Sequence, residues 1–535
     1  MTTMIPASDL DDVLATLDSY ALLDVRERGE YALGHISGAC PLPRGLVEVL
    51  TQRLVPWAGV PLVVYCEDGH RSVLAAETLE GFGYRDVRVV TGGIAAWRSL
   101  GNTPEEGVNV LGKMYGEKVA TIGGVEQLEP DQLAALQAEG DILILDARTK
   151  IEYDRGHIPG AVSVPGGELA ASLLSIPEDR VPGTVVVHCA GRTRSIVGAQ
   201  LVKGLGFPNV YALRNGTMGW RMSGRDLEYD ARALEQSVTA HGTARATDFA
   251  ARFVRGQGAD PWTVEDLVDA QQCGRPLYIL DVRQVGEFEA GRVDGAISCP
   301  VGQLTNAADE QLAVRGAAIV CYSNDATRAR IGAGLLRRIG YPNVGWLQGG
   351  VSAWRESGQA AADGRLPSYP SCLDEVVEEA VRVDAATVHD QLAASGVTVV
   401  DVRRSSEFAL GHIPSSVWVP RGDLERRLAA AATLDGALVL VSDRGVRAAL
   451  AAPTVRELGC PAVQVMDGGF EAWKAAGLPV EQGLGGADVD VREAKEDAEL
   501  VAPRPRMLER NREDMIRYLT WEEQLGHAFE GADRA

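Results

Sequence analysis

Four copies of one sequence block follow one another along this chain, and that repetition limits its possible folds more than any other feature. Each copy opens with an apolar stretch ending in Asp-x-Arg, continues with glutamate and an aromatic residue, and closes near a tryptophan. The closing residues, separated by 123, 134 and 119 positions, are Trp97, Trp220, Trp354 and Trp473. Intervals of this length are typical of whole domains and too long for the repeats of a solenoid. The chain is therefore predicted to fold as four tandem domains arranged in two pairs.

The linkers between the copies predict where each domain begins and ends. The expected domains cover residues 5–101, 121–225, 262–359 and 383–480. A charged segment of residues 481–535 follows the fourth domain, and its part from 507 to 529 has the pattern of one or two amphipathic helices. We expect this tail to pack on a neighbouring domain rather than to bind a partner.

Apolar strands alternate with helical patterns inside each block. In the first block, residues 60–65 read as a buried strand, residues 72–82 as a helix and residues 87–90 as another strand. This alternation predicts an α/β fold in which each domain is a parallel sheet flanked by helices. Ligands of such sheets bind at the carboxyl ends of the strands, so the turn after residue 65 is the expected position of a site.

Composition and charge exclude several classes of function. The chain carries 74 acidic and 52 basic side chains, a net charge of -22, and such a surface repels nucleic-acid phosphates and anionic lipids. We therefore expect no nucleic-acid partner and no membrane partner. The first residues lack the basic and apolar regions of a signal peptide, and the eight cysteines form no CxxC pair, so a reducing cytoplasmic location is expected. The sequence contains no metal-binding or nucleotide-binding motif, so no metal and no cofactor are expected.

The turn that follows the middle strand carries a cysteine in the first two blocks and a serine in the last two. These residues lie 31 positions before each closing tryptophan and are Cys66, Cys189, Ser323 and Ser442. An arginine lies five positions later in every block. Backbone N–H groups and the positive end of a helix dipole meet in such a turn, which lowers the pKa of a thiol and populates its nucleophilic thiolate. We therefore predict covalent catalysis by Cys66 and Cys189, and inactive third and fourth domains.

The residues predicted to bind a substrate are those of the two cysteine loops. In the first domain they are Glu67, Asp68, Gly69, His70, Arg71 and Ser72. In the second domain they are Ala190, Gly191, Arg192, Thr193, Arg194 and Ser195. Outside these loops, Asp24 is expected to hold its turn by hydrogen bonds, and Arg26 is expected to form a structural ion pair with Glu30.

The succession of motifs resembles the rhodanese sulfurtransferase family over most of the chain: Asp-x-Arg, Glu-aromatic, Gly-His-Ile, Cys-x4-Arg-Ser and Gly-Gly-x3-Trp. The resemblance implies a parallel α/β fold and transfer of a sulfane sulfur through a persulfide, here on Cys66 and Cys189. The sulfur donor would be a small anion such as thiosulfate, and the acceptor would be cyanide, a thiol or a protein. The third and fourth domains resemble inactive rhodanese domains, since serine cannot carry a persulfide. We expect this C-terminal pair to pack against or regulate the active half.

Several alternatives accompany this interpretation. The enzyme could instead use 3-mercaptopyruvate, or carry persulfide sulfur to a partner protein. A phosphatase or arsenate reductase of the Cys-x5-Arg type places five residues between its cysteine and arginine, whereas four residues separate Cys189 from Arg194. A non-catalytic scaffold fits the third and fourth domains better than the whole chain. A hydrolase with Ser323 or Ser442 as its nucleophile would need a base, and neither serine loop contains a histidine.

The two cysteine loops differ in charge, which predicts a division of labour between them. Glu67 and Asp68 follow Cys66, whereas Arg192 lies in the loop of Cys189. Thiosulfate is a dianion, and two unit charges ~6 Å apart interact by about 3 kcal/mol at an effective dielectric constant of roughly 20. On charge alone, Cys189 should therefore be the better acceptor of sulfur from thiosulfate.

Overall fold

The computed structural model describes residues 2–229, 234, 237–394, 396–430, 437–460, 462–484 and 508–529 of the chain. It divides into two compact units, each with one cysteine-bearing and one serine-bearing domain. The first unit, with the first and fourth domains, comprises Met1–Val108, Ala313–Arg315 and Leu366–Pro503. The second unit, with the second and third domains and the tail, comprises Asn109–Leu312, Gly316–Arg365 and Arg504–Ala535. The two serine-bearing domains therefore do not form a unit of their own, and each is grouped with one cysteine-bearing domain.

The first domain alternates strands and helices as the sequence predicts. Its strands are β1 (Thr3–Pro6), β2 (Tyr20–Asp24), β3 (Cys40–Pro41), β4 (Leu62–Tyr65) and β5 (Val87–Thr91). Its helices are α1 (Leu10–Ala15), α2 (Arg28–Leu33), α3 (Val47–Leu54), α4 (His70–Gly81) and α5 (Gly93–Ser99). The strands pair in parallel in the order β1-β5-β4-β2-β3. Every residue of β4 is buried, as is typical of a central strand that is covered on both faces.

The second domain follows helix α6 (Val110–Ile122) and has the same topology. Its strands are β6 (Glu126–Leu128), β7 (Ile142–Asp146), β8 (Val162–Ser163), β9 (Thr184–His188) and β10 (Val210–Leu213). Its helices are α7 (Pro130–Glu139), α8 (Lys150–Asp154), α9 (Leu169–Leu173), α10 (Thr193–Gly204) and α11 (Gly216–Met222). The parallel order is β6-β10-β9-β7-β8. Helix α12 (Ala240–Val254) leads to the third domain.

The third domain repeats this sheet and adds short strands. Its strands are β11 (Asp260–Trp262), β12 (Leu277–Asp281), β13 (Arg292–Val293), β14 (Ile297–Ser298), β15 (Val314–Arg315), β16 (Ala318–Tyr322), β17 (Val344–Leu347) and β18 (Ala361–Ala362). Its helices are α13 (Val264–Gln272), α14 (Val285–Ala290), α15 (Leu304–Gln311), α16 (Thr327–Ile339) and α17 (Gly350–Glu356). The parallel order is β11-β17-β16-β12-β14, and β13 pairs with β18 in the antiparallel sense. Strand β15 instead pairs antiparallel with β2 of the first domain and belongs to the first unit.

The fourth domain follows helix α18 (Asp374–Glu378). Its strands are β19 (Arg382–Val383), β20 (Val397–Asp401), β21 (Val417–Trp418), β22 (Ala437–Val441) and β23 (Val463–Met466). Its helices are α19 (Ala385–Ala393), α20 (Ser405–Leu410), α21 (Leu424–Ala430), α22 (Val446–Glu457) and α23 (Gly469–Ala475). The parallel order is β19-β23-β22-β20-β21, so all four domains share one topology.

The tail forms helix α24 (Leu508–Gln524), followed by a 3-10 turn at Leu525–Phe529. This confirms the helical pattern predicted over residues 507–529, although residue 507 itself lies outside the described residues. The helix packs on α6 of the second unit, as expected for a tail that lies on a neighbouring domain. Within the described ranges, no helix is both long and apolar enough to cross a membrane.

The four sheets place one turn of each domain at the predicted position of a site. Strands β4, β9, β16 and β22 are central, and each runs directly into the loop that precedes a helix of 12 or 13 residues. The closing tryptophans are buried in the domain cores, as their recurrence indicates. The parallel α/β fold predicted from the sequence is therefore confirmed for all four domains.

Candidate active site

A glycine in a left-handed conformation shapes the loop of Cys66. Strand β4 ends directly before Cys66, and helix α4 begins four residues after it. Between them, Gly69 has a φ of 100° and a ψ of -17°, a region that residues with a Cβ rarely adopt. This turn directs the N–H of Gly69 at the Cys66 sulfur, which lies 3.2 Å away. The sulfur therefore lies against a backbone donor at the positive end of a 12-residue helix.

The sulfur of Cys66 lies beneath a rim that is open to solvent. Its Sγ is 3.5 Å from the hydroxyl of Ser72 and 3.6 Å from the carboxylate of Asp68. Cys66 and Ser72 are buried, whereas Asp68 and His70 are exposed. The N–H of His70 donates to Asp68 and holds the pKa of that carboxyl below its usual value, so Asp68 is charged at neutral pH. One carboxylate and one imidazole thus form the solvent side of the loop.

Ion pairs neutralise the other two charged side chains of this loop. Glu67 accepts hydrogen bonds from Arg26 at 3.1 Å and from Arg98 at 3.0 Å. Arg71 donates to both carboxylate oxygens of Glu30, at 2.7 and 2.5 Å. The guanidinium group therefore fixes the first turn of α4 against α2, and neither Glu67 nor Arg71 is a free charge.

The expected ion pair between Arg26 and Glu30 is replaced by two others. The Nη2 atom of Arg26 donates to the carboxylate of Asp24 at 2.7 Å, and the backbone N–H of Arg26 donates to the same carboxylate at 3.0 Å. The prediction that Asp24 holds its turn by hydrogen bonds is therefore confirmed, whereas the predicted partner of Arg26 is wrong. Glu30 binds Arg71 instead, because α2 lies beside the beginning of α4 in the folded domain.

The loop of Cys189 has a different backbone. Strand β9 ends directly before Cys189, and helix α10 begins four residues after it. The residue at the position of Gly69 is Arg192, whose φ of -118° and ψ of -64° lie in the right-handed region. The sulfur lies 3.6 Å from the hydroxyl of Ser195, and residues 191–195 are all buried. The two cysteine loops therefore differ in conformation and in exposure, although their sequences look alike.

Acidic residues from two other segments surround Arg192. Its guanidinium group donates to both oxygens of Glu117 on α6, at 2.7 and 2.8 Å. It also donates to Glu523 on α24, at 2.7 Å. The positive charge expected to attract thiosulfate is thus already paired, which removes the basis for expecting Cys189 to be the better acceptor. Glu117 and Glu523 were not predicted as parts of this loop, and only the helical pattern of the tail pointed toward one of them.

Two further groups lie beneath the Cys189 loop. Arg194 donates to both oxygens of Glu152 at 2.8 Å, and this pair fixes the first turn of α10. His188 is fully buried, and its Nε2 lies 3.7 Å from Asp146. Burial lowers the pKa of His188 to about 4, so the imidazole is neutral at neutral pH and supplies no positive charge to the thiol.

The serine loops share a positive φ with the Cys66 loop but use a different backbone donor. The hydroxyls of Ser323 and Ser442 each accept a backbone N–H from the helix that follows, at 3.2 Å. The residues at the position of the left-handed glycine also have positive φ values and are Ala326 (71°) and Gly445 (89°). These loops therefore hold an oxygen atom where the first domain holds a sulfur atom.

Comparisons with known proteins match the four domains and the whole chain. A profile of the rhodanese-like domain matches residues 9–100, 129–223, 263–357 and 384–476. The crystal structure of a thiosulfate sulfurtransferase from Pseudomonas aeruginosa is 32% identical, with a TM-score of 0.82 over 98% of both chains. SseB of Mycobacterium tuberculosis, provisionally named a thiosulfate sulfurtransferase, is 30% identical over 214 residues, 31% of this chain and 72% of that protein. The thiosulfate sulfurtransferase GlpE of Pseudomonas paraeruginosa is 36% identical over 98 residues, 18% of this chain and 87% of that protein.

Proposed function

Because the chain belongs to the rhodanese-like family, we propose that it is a sulfurtransferase that carries sulfane sulfur as a persulfide on Cys66. The observation that carries this proposal is the loop of Cys66. The buried sulfur of Cys66 accepts a hydrogen bond from the N–H of Gly69, just before α4 begins, and the rim of the loop is exposed at Asp68 and His70. A thiolate in this position is stabilised by the helix dipole and by the backbone donor.

The reaction consists of two sulfur transfers. The Cys66 thiolate attacks the outer sulfur of thiosulfate, the S–S bond of the donor breaks, and sulfite leaves with the bonding electron pair. The terminal sulfur of the resulting persulfide is then taken by a nucleophile such as cyanide or a thiolate, and the electron pair of the broken S–S bond returns to Cys66. No external oxidant or reductant is needed, because the sulfane sulfur is transferred as a neutral atom and each leaving group departs with the electron pair of the broken bond.

The loop residues have separate roles in this scheme. The N–H of Gly69 and the first turn of α4 stabilise the negative charge of the thiolate and of the persulfide. The hydroxyl of Ser72 lies 3.5 Å from the same sulfur and donates to the carbonyl oxygen of Gly69 at 2.9 Å, so it fixes the turn that supplies the backbone donor. Arg71 is a positioning residue, because Glu30 holds its guanidinium group and the pair fixes the helix that supplies these donors.

Cys189 is proposed as a second sulfur-carrying residue with restricted access. Its loop contains the same pairing of cysteine with serine, but residues 191–195 are buried. Most turnover is therefore assigned to Cys66. The donor is proposed to be thiosulfate, with 3-mercaptopyruvate as the alternative and a small thiol, cyanide or a protein as acceptor, in a reducing compartment such as the cytoplasm.

Mass spectrometry of the full chain tests the proposal. After incubation with thiosulfate or 3-mercaptopyruvate, the peptide containing Cys66 should gain one sulfur atom, and cyanide should remove that atom as thiocyanate. The variant Cys66→Ser should lose nearly all turnover, whereas the matched variant Cys273→Ser, at an exposed cysteine outside the loops, should keep it. Full activity of Cys66→Ser would refute the assignment, and the donor that loads Cys66 identifies the substrate class.

A further inference from the structure

The tail helix α24 lies directly on the loop of Cys189. A Cβ atom placed on Gly191 would be 3.5 Å from the ring of Tyr518 and 3.6 Å from the side chain of Leu519. Leu519 is 3% exposed and Glu522 is 0% exposed, so this face of the helix is fully covered. The tail therefore closes the side of the Cys189 loop that corresponds to the solvent-exposed rim of the Cys66 loop.

A carboxylate of this helix occupies the N-terminus of α10. Glu522 accepts the N–H of Thr193 at 3.1 Å and also the hydroxyl of Thr193. The ammonium group of Lys113 on α6 lies 3.4 Å from the same oxygen. Burial opposes ionisation of Glu522, but Lys113 and Thr193 outweigh it and hold the pKa of the carboxyl below its usual value. A charged carboxylate thus accepts hydrogen bonds from an N–H and an O–H and pairs with an ammonium group, at the positive end of a 12-residue helix.

Lys113 also connects this anion position to the sulfur of Cys189. Burial opposes the charge of Lys113, yet Glu522, then Tyr518 and to a smaller extent Cys189 raise its pKa above the usual value. The ammonium group lies 3.4 Å from the carboxylate and interacts more weakly with the thiol. An oxyanion bound in place of Glu522 would lie beside the same cation as the nucleophile.

The two oxygens of Glu522 are held unequally. Thr193 and Lys113 contact Oε1, whereas Oε2 is buried and receives no hydrogen bond of normal geometry within the described part of the chain. The phenol of Tyr518 also interacts with the carboxyl and helps to hold its pKa below the usual value. An oxyanion with three or four oxygens has more ways to use the available donors than a carboxylate with two. The group that fills this position is therefore replaceable in chemical terms.

The corresponding position of the first domain binds a carboxylate of its own loop. His70 occupies the place of Thr193, its side chain is exposed, and its N–H binds Asp68 of its own loop. Both loops thus bind a carboxylate at the beginning of the helix. In the second domain, however, that carboxylate comes from a segment 329 residues away and brings a covering helix with it.

We propose that Thr193, Lys113 and Arg192 form an oxyanion site for the sulfur donor of Cys189, and that Glu522 occupies this site and keeps it closed. Resting on the proposed function, this inference makes Cys189 a latent second sulfur carrier that becomes accessible when α24 moves away. The ligand class is a sulfur oxyanion, for which inorganic sulfate is a suitable unreactive probe.

Alkylation of the full chain tests the closed state. Iodoacetamide labelling, quantified for each cysteine peptide, should modify Cys66 faster than Cys189 in the unaltered protein. The change Glu522→Gln should raise the rate at Cys189 roughly tenfold, the shift expected from losing one hydrogen bond to a charged group, and leave Cys66 unchanged. The matched change Glu513→Gln, at an exposed position of the same helix, should alter neither rate.

Two further measurements keep the test decisive. Glu523→Gln removes one of the two carboxylates paired with Arg192, at the partly exposed edge of the contact, and should raise the rate at Cys189 by a smaller factor. Sulfate should slow labelling of Cys189 in Glu522→Gln, and chloride of equal ionic strength should not. An unchanged rate at Cys189 in both variants, with thermal unfolding also unchanged, would overturn the proposal. Equal protection by sulfate and chloride would overturn the oxyanion site.

These readouts are independent of turnover. If Cys66 carries no sulfur, the proposed function fails while the labelling of Cys189 still reports on the tail. If Cys66 is loaded by a donor but Glu522→Gln does not expose Cys189, the proposed function stands and the inference about the tail fails.

Discussion

The Nε atom of Arg71 lies 4.0 Å from the Oδ1 atom of Asp423, a residue of the serine-bearing fourth domain. The arginine of the Cys66 loop is thus in electrostatic contact with a domain whose own loop contains no sulfur nucleophile. Burial opposes the charge of Asp423, but Arg71 and two arginines of its own domain hold the pKa of its carboxyl below the usual value. The fourth domain therefore places a permanent negative charge near the proposed active site.

The change Asp423→Asn should improve the use of thiosulfate by Cys66. Two unit charges 4 Å apart interact by about 4 kcal/mol at an effective dielectric constant of roughly 20, and salt and Glu30 screen most of this. We expect the KM for thiosulfate to fall about two- to fivefold at low ionic strength, with kcat unchanged. The control Glu471→Gln removes an exposed carboxylate of the same domain and should leave KM as it is. An increase in KM would mean that Asp423 mainly positions Arg71.

The change Gly69→Ala should damage the Cys66 loop because the φ of 100° is unfavourable for alanine. The strain costs roughly 1–2 kcal/mol, and relieving it moves the N–H away from the sulfur. We expect kcat to fall at least about tenfold, the effect of roughly 1.4 kcal/mol on a barrier. The matched change Gly83→Ala places the same strain at a φ of 89° in open space, so it should lower Tm similarly without lowering kcat. Equal kcat values for the two variants would contradict the role given to Gly69.

The first unit should lose stability in acid through the pair of Glu48 and Arg421. The two guanidinium–carboxylate hydrogen bonds are both 2.6 Å. Burial opposes the charge of Glu48, but Arg421 prevails and lowers the pKa of the carboxyl from its usual 4.5 to about 2. Because the folded pKa is depressed, the pair stabilises the protein above the usual pKa by about 3 kcal/mol, and this contribution is lost as pH falls from about 4.5 through about 2.

Urea unfolding of variants checks this pair. Arg421→Met should destabilise the first unit by up to roughly 3–5 kcal/mol at neutral pH, because the largely buried Glu48 then keeps only the longer contact from Arg44 at 3.4 Å. Adding Glu48→Gln should recover part of the loss and flatten the dependence on pH below about 4.5. Equal acid sensitivity of the double variant and the unaltered protein would show that other carboxylates dominate.

Restoring a thiol in the fourth domain should produce a reactive cysteine. The hydroxyl of Ser442 accepts the N–H of Ala448, and Gly445 has the left-handed conformation of Gly69. After Ser442→Cys, iodoacetamide at neutral pH should label the introduced thiol faster than Cys273, an exposed cysteine that serves as the internal reference. Slower labelling than Cys273 would show that the backbone donors of this loop do not stabilise a thiolate.

The local features of the site could be predicted from the sequence because they depend on neighbouring residues. The alternation of strands and helices, the turn after each central strand and the positions of Cys66 and Cys189 follow from short-range patterns. One local difference is visible in the sequence itself: Gly69 can adopt a left-handed conformation at low cost, whereas its counterpart Arg192 cannot. That contrast explains why two similar loop sequences have different backbones.

The sequence by itself determined four parallel α/β domains and the residue at each central turn, because periodicity and turn chemistry act over a few residues. Only the tertiary structure decided that the first domain pairs with the fourth and the second with the third. Glu48 and Arg421 are 373 residues apart, and Glu522 and Thr193 are 329 apart. Such contacts depend on complementary surfaces that form only after each domain has folded, so the charge of a loop cannot be judged from its own residues. Arg192 illustrates this, because its positive charge is neutralised by carboxylates from α6 and α24, far away in the chain.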